Sequence, residues 1–432
     1  MDHEGADREE RRRKRKLQRE RQIRRQKLIL FWSSAAVLTL GIGTGVFLGA
    51  RSRQADRAAQ QMAREEAAKE AQEQQRRLEE ENTIRLVAVG DNLIHEHIYQ
   101  SGMEESGEWD YTHLYQQVKD TVASADLAVV NQECIFVEDH ENVSAYPEFG
   151  SPVEIGDALA DTGFDVVLHA TNHAMDKGTQ AVEETISYWE TNHPEITVLG
   201  IHKNQEEADR VAVVECKGVN FAMLNYTCQI NGENYDGFPS YMLDVLDMEK
   251  VSQDVKKAKE AGDIVVVFLH IGTEYSASPN QEVKDYLQLL LSQGVDIAVC
   301  SHPHVLQNFE TLKDDQGNEM LVYYSLGNFI STQKEPECML GGMADITISR
   351  NPQNGELSIS EAELVPLVTH YNHDDEEYAV YPLDNYSREL AKNHGIHKET
   401  SDLFTLETLK KQYEEVLQQE YHTLDETTEW EE

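Results

Sequence analysis

Two histidines one residue apart, His302 and His304, close the run Val295-Asp-Ile-Ala-Val-Cys-Ser-His-Pro-His304. The run reads as a short apolar β-strand that stops at the pair. In an extended segment residues i and i+2 point to the same side, so the two imidazoles are expected to arrive together as half of a metal site. Taken alone, two histidines beside a proline also read as a plain loop. Five other apolar runs, however, stop in the same way. Ile84–Val89 ends on Gly90-Asp91-Asn92, Asp126–Val130 on Asn131-Gln132-Glu133, and Phe164–Leu168 on His169-Ala-Thr-Asn172-His173. Ile264–Leu269 ends on His270, and Leu321–Tyr324 on Ser325-Leu-Gly-Asn328.

Ligands of α/β sheets collect outside the carboxyl ends of the strands. Asp91, Glu133, Asn172, His270, His302 and His304 all stand at such ends. A lone Asp or Asn at a strand tip is commonly a turn cap. Six metal-capable side chains at successive tips are not explained that way. Mixed oxygen and nitrogen donors suit the borderline divalent ions Mn, Fe or Zn. Two such ions about 3.5–4 Å apart can activate a water and clamp both oxygens of a phosphoryl displacement. One carboxylate must bridge them, and Glu133 is the candidate. A histidine beside a ligand, itself unligated, can steady an oxyanion or protonate a leaving group. His173, next to Asn172, is placed for that catalytic role.

The elements that must hold these residues alternate strand and helix, an α/β pattern. Helices are expected over Leu114–Ala125, over Val153–Thr162 with Gly163 as C-terminal cap, and over Thr179–Trp189. Two more follow, Asp247–Ala261 with Asp247 as N-cap, and Gln281–Gln293, which stops at Gly294. Further strands fall around Thr197–Leu199 and Asn220–Tyr226.

The chain outside this pattern is of another kind. Residues 1–27 hold 12 Lys/Arg against 6 acidic residues, and Leu28–Ala50 carries no charge for 23 residues. That length spans a bilayer as one transmembrane helix. The basic arm is then cytoplasmic and the rest extracellular, anchored at the cell membrane by an uncleaved single pass. Residues 51–82, rich in Ala, Glu, Gln and Arg without Gly or Pro, read as a helical stalk. The net charge of −41 leaves −47 for everything after residue 50; such a surface does not hold nucleic acid by its phosphates and repels anionic polymers except at a local cationic site. Five scattered cysteines show no metal-type spacing and no disulfide framework. Residues 371–432 are expected to supply a peripheral helix, Leu406–Gln419, and a disordered acidic end.

The ordered series GDN (Gly90–Asn92), NQE (Asn131–Glu133), ATNHAMDKG (Ala170–Gly178), HIGTEY (His270–Tyr275), SHPHVLQ (Ser301–Gln307) and YSLGNF (Tyr324–Phe329) resembles the CapA family. That family is tied to poly-γ-glutamate capsule synthesis and to the calcineurin-like metallophosphoesterases. The resemblance covers residues 83–370 and implies a four-layer α-β-β-α sandwich. It implies that Asp91 and His304 serve one metal, that Asn172, His270 and His302 serve the other, and that Glu133 bridges. Two positions depart from the phosphoesterase pattern. Asp91-Asn-Leu93 lacks the histidine of an Asp-x-His motif, and Glu133 stands where Asp is usual. His95, Glu274, Tyr275 and Asn328 are further candidates for metal or substrate.

The implied function is a membrane-anchored, metal-dependent hydrolase or transferase acting on a phosphoester or on an anionic capsule polymer. A non-catalytic polymer-handling subunit beside a membrane synthase is the second expectation. An extracellular nucleotide phosphatase is the third, and it leaves HIGTEY and SLGNF unexplained.

Overall fold

In the computed structural model the described residues are 23–30, 50–104, 106–231 and 237–418. The chain divides into two units, residues 1–83 with 349–358, and residues 84–348 with 359–432. In the first, helix α1 (Ala50–Asn82) occupies the stretch read as a stalk. It carries exposed i,i+4 ion pairs, Arg77–Glu73 at 2.7 Å and Arg76–Glu80 at 3.2 Å, each worth a few tenths of a kcal/mol. Residues 31–49, most of the expected span, lie outside the described residues, as do residues 1–22 and 419–432. No helix among the described residues is long and apolar enough to cross a membrane.

The second unit is a mixed α/β body. Its first strands are β1 (Thr83–Asn92), β2 (Leu127–Gln132), β3 (Phe136–Val137), β4 (Ser151–Pro152), β5 (Val166–Leu168) and β6 (Thr197–Leu199). Next come β7 (Ala212–Cys216), β8 (Val219–Thr227), β9 (Ile264–His270), β10 (Ile297–Ser301), β11 (Phe309–Lys313) and β12 (Glu319–Tyr323). The last are β13 (Asn328–Ile330), β14 (Leu340–Arg350), β15 (Leu357–Asn372) and β16 (Glu377–Pro382). One sheet runs β16-β15-β14-β1-β2-β5-β6 with β13 beside β1, and the other β11-β12-β10-β9-β8-β7.

The two-residue period of a strand decides which side chains meet which layer. In β9, Val265, Val267 and Leu269 pack on Val251, Val255 and Ala258 of helix α2 (Met248–Ala261), and on Val283, Leu287 and Leu290 of helix α3 (Gln281–Ser292). The alternate residues Ile264, Val266, Phe268 and His270 are buried on the opposite face, where His270 meets side chains of the first sheet. Parity along one apolar run therefore delivers His270 between the sheets. Asp247 caps α2 by accepting from Lys250 N, as its position predicts.

The parallel registers keep the strand tips level. Asp91 pairs with Asn131 of β2 and with Asn328 of β13, and Ser301 with His270. The ladder shifts on both sides of Asp91, a bulge of the kind that re-aims a side chain beside a site. Gly90 permits it: a Cβ there would lie 1.9 Å from Gly327 O.

Two expected boundaries move. The helix expected over Leu114–Ala125 is a 3₁₀ turn (Thr112–Leu114) and one short helix (Lys119–Ala123), because burial of Tyr111, Leu114, Tyr115 and Val118 overrides local propensity. The domain edge expected at His370 falls inside β15, and the sheet runs on through β16, with Leu367 opposite Pro382. The expected C-terminal helix spans Leu406–Leu417.

Candidate metal centre

Asp91, Glu133, His270 and His302 are fully or almost fully buried, and His304 is 3% exposed. Two triads of ligand atoms, each within 4.8 Å of one another, share one carboxylate: Asp91, Glu133 and His304, then Glu133, His270 and His302. Asn172 Oδ1 lies 2.7 Å from His270 Nε2, beside the second triad. This grouping coincides with the split that the family resemblance implies. Both carboxylate oxygens of Glu133 are buried without a hydrogen-bond partner, and so is Asn172 Nδ2. A buried, unpartnered carboxylate costs several kcal/mol unless it is neutralised. Three imidazoles and a second carboxylate around it form the donor set of a divalent cation, so the residues fit a metal.

The histidine pair does not arrive as its spacing suggested. His302 and His304 follow β10 in a turn, with φ of 99 and 59, instead of lying in an extended segment. The left-handed backbone turns the two rings apart, one into each triad, instead of to one side. Such conformations cost about 1–3 kcal/mol each in a non-glycine residue and gather at functional sites. The loop after β9 braces the turn through Tyr275 N, which donates to Pro303 O at 2.8 Å.

Neighbouring side chains orient the set. Asn131 Nδ2 donates to Asp91 Oδ1 at 2.8 Å, and Ser301 Oγ lies 3.0 Å from His270 Nδ1. Gln229 Nε2 lies 3.4 Å from His302 Nε2. Asn225 Oδ1 accepts from Ala170 N at 2.8 Å and so anchors the loop that carries Asn172. Of these, Asn131 stood in a quoted motif without an assigned role. Gln229 lay in an unused signal, because β8 also ends on a polar cluster, Thr227-Cys-Gln229-Ile-Asn231.

Burial, then His302 and His304, hold the His270 pKa well below its ordinary value. Burial and His304 bring His302 down to about 4. Burial also disfavours charge on His304, but Glu133 and Asp91 overcome it and raise the ring to about 9. Desolvation lifts Glu133 well above the carboxylate range; His304 opposes that shift and Asp91 adds to it. At neutral pH, His270 and His302 are therefore uncharged, and positive charge is drawn to the Asp91–Glu133 side.

The remaining candidates surround this group. Asn172 and His173 diverge: His173 Nδ1 sits 2.6 Å from Asp176 Oδ2, and its ring packs edge-on against Phe149 at 4.7 Å. Asn231 Nδ2 is 3.2 Å from His173 Nε2. His95 also packs against Phe149, at 5.4 Å, and its Nδ1 accepts from Thr332 N. It belongs to neither triad. Glu274 and Tyr275 are exposed on the β9 loop, with the Tyr275 ring 6.2 Å from that of His304. Asn328 Oδ1 is 3.1 Å from His304 Nδ1. A separate cavity of about 490 Å³ lies near Trp189, Met223 and Lys250. Charged groups on its wall include two ion pairs, His202 with Asp244 and Lys250 with Asp254.

Comparison with known proteins bears on the whole body. The capsule biosynthesis protein CapA of Bacillus anthracis is 27% identical over 263 residues, 59% of this chain and 61% of that protein. The PGA biosynthesis protein CapA of Bacillus subtilis (strain 168) is 31% identical over 178 residues, 40% of this chain and 44% of that one. The chain thus spans about three-fifths and less than half of the length of these two curated relatives. Among solved structures, a phosphatase from Mycoplasma pneumoniae matches with a TM-score of 0.41 and 12% identity, covering 66% of this chain and 94% of that one. The NAD nucleotidase of Haemophilus influenzae matches with a TM-score of 0.39 and 10% identity, covering 77% and 60%. Residues 85–333, more than half of the chain and all of the strand tips described above, match the family model for the bacterial capsule synthesis protein PGA_cap, and the chain belongs to that family.

Proposed function

We propose that this chain is a membrane-anchored, outward-facing enzyme of capsule-polymer metabolism, built on a calcineurin-like four-layer sandwich. It hydrolyses or transfers a phosphoester or γ-glutamyl amide with the help of two divalent ions. The observation that carries this reading is the pair of orphaned, buried Glu133 oxygens between two histidine-bearing triads. Asp91, Glu133 and His304 would hold one ion, and Glu133, Asn172, His270 and His302 the other. When bound, such a pair supplies Lewis acidity to an oxyanion.

The chain's own residues supply the rest. Asp176 holds the His173 Nδ1–H, so Nε2, which faces the Asn231 amide, carries the lone pair. It would first take a proton, from the attacking water for example, and then hand it to a leaving oxygen or nitrogen. Phe149, buried, packs edge-on against both His173 and His95 and so helps to fix the plane of the His173 ring.

A second reading, a polymer-handling subunit without catalysis, rests on the first motif. Leu93, buried and apolar, stands where the resembled phosphoesterases carry histidine. Its neighbour Asn92 is spent in a buried chain, accepting from Tyr115 OH at 2.8 Å and donating to Gln132 Oε1 at 2.6 Å. Elemental analysis of the purified chain together with turnover of a model phosphodiester separates the readings. Two ions with turnover supports the enzyme, ions without turnover the handling subunit, and no bound ion sinks both metal assignments. For the anchor, protease added to intact cells should digest the body and spare residues 1–27; an intact body refutes the orientation.

A further inference from the structure

The orientation of one buried amide fixes which nitrogen of His304 is free. Asn328 Nδ2 faces Gln333 Oε1 at 2.7 Å, Ser331 Oγ at 2.9 Å and the carbonyl of Cys338 at 3.3 Å. A carbonyl can only accept, so the nitrogen end is assigned by this network and Oδ1 must face His304 Nδ1, 3.1 Å away. An amide oxygen can only accept in turn. Nδ1, which also lies 3.1 Å from Asp91 Oδ2, therefore keeps its hydrogen when His304 is neutral. Nε2, 3.7 Å from Glu133 Oε1, keeps the lone pair.

The same logic runs outward. Gln333 Oε1 accepts from Asn328, so Gln333 Nε2 is the donor to Tyr275 OH, a long contact at 3.4 Å. Tyr275 then accepts, and its own hydroxyl proton is left to give. The side chain is 48% exposed, and its backbone is clamped to Pro303 between the two histidines, with φ of 61.

We infer that Asn328 and Gln333 form an amide relay with two ends, which rests on the metal reading above. Inward, it holds His304 as the Nδ1–H tautomer so that Nε2 faces the Glu133 group. Outward, it makes the Tyr275 hydroxyl a hydrogen-bond donor to a substrate oxyanion, a phosphoryl or a carboxylate oxygen. Gln333 is a positioning residue in this scheme, and Tyr275 a specificity-determining one.

The test uses the full chain, titrated calorimetrically with Mn²⁺ and then, in separate arms, with inorganic phosphate and with γ-glutamylglutamate. Asn328→Leu should weaken Mn²⁺ binding by about 10–100-fold, the usual cost of losing a partner that orients a ligand. Asn328→Asp still accepts the His304 hydrogen but cannot donate to Gln333, so it should keep Mn²⁺ affinity and lose the anion. Gln333→Glu takes up the Tyr275 proton and should do the same. Each should match Tyr275→Phe, with a loss of roughly tenfold or more, and Gln333→Glu with Tyr275→Phe should lose no more than either alone. The arm in which the loss appears names the oxyanion. Undiminished Mn²⁺ affinity in Asn328→Leu, lost Mn²⁺ affinity in Asn328→Asp, additive losses in the double variant, or no loss in either anion arm would overturn the relay. A wild-type chain that takes up no Mn²⁺ overturns the metal reading itself, and the inward end with it.

Discussion

His270, His302 and His304 are buried beside carboxylates, whereas His370 and His394, on and after β15, are buried among tyrosines. In the second group His394 is absorbed by ordinary partners, while His370 Nε2, itself without a hydrogen bond, faces the partly exposed carboxylate of Glu377 at 3.7 Å. His370 Nδ1 lies 2.7 Å from Tyr386 OH, while His394 Nε2 meets Thr369 O at 2.9 Å and its Nδ1 accepts from Ile396 N at 2.9 Å. The His394 ring also packs on Tyr371 and Phe404. Burial depresses a member of each group, His394 to about 3 and His302 to about 4. A depressed imidazole therefore does not mark a ligand site. What marks it is a buried carboxylate whose oxygens have no protein partner, and Glu133 has no counterpart around His394.

The largest expected effect would break this comparison at its centre. Replacing His302 and His304 together by alanine should abolish tight divalent binding while circular dichroism keeps the folded signature; unchanged metal stoichiometry would remove the distinction. His173→Ala should keep metal near wild type while turnover of a model phosphodiester falls about 10²–10⁴-fold. Loss of metal in that variant would make His173 a ligand. His394→Ala, in the contrasting group, should cost about 2–4 kcal/mol in denaturant unfolding through lost packing and two lost hydrogen bonds, with metal affinity untouched. Metal lost there would erase the contrast.

Chelation should follow, at about 2.7 kcal/mol for wild type held at 100 times its Kd, read as a lowered Tm. Glu133→Gln should show no such shift. The smallest effect is in pH. The His304 pKa is raised, so the stabilisation its charge gives the metal-free site is complete below its ordinary 6.5 and is lost as pH rises through about 9. Binding a cation displaces that proton, so Mn²⁺ affinity should rise up to about tenfold per pH unit between 7 and 9, with proton release measurable in weak buffer. His302, at about 4, should contribute no slope in that range.

Much of this site was legible in the chain because strand tips announce themselves where an apolar run stops. Thr197–Leu199 is a strand as expected, Asp247 caps its helix, and Gly163 takes the left-handed conformation, φ 104, that its helix end required. The turn at His302 and His304 was misread because i,i+2 spacing implies a shared side only if the backbone stays extended. The strand Glu377–Pro382 escaped because its apolar alternation is short and sits among charges. The partners of Asn328 were invisible in principle. Ser331, Gln333 and Cys338 meet it only after β13 and the turn that follows have folded, and polar contacts of that kind leave no period in a sequence.

The two carboxylates of the centre belong to strand tips of one sheet, and the three histidines end or follow strands of the other. The site therefore straddles the seam between the sheets and works as a gauge of their alignment. A slide of about 1 Å along that seam, too small to register as unfolding, would separate groups that catalysis needs within hydrogen-bond reach. Substitutions deep in the shared core, at Phe268 or Val299 for instance, should then appear first as a weakened hold on metal and only later, at higher temperature, as a lost fold.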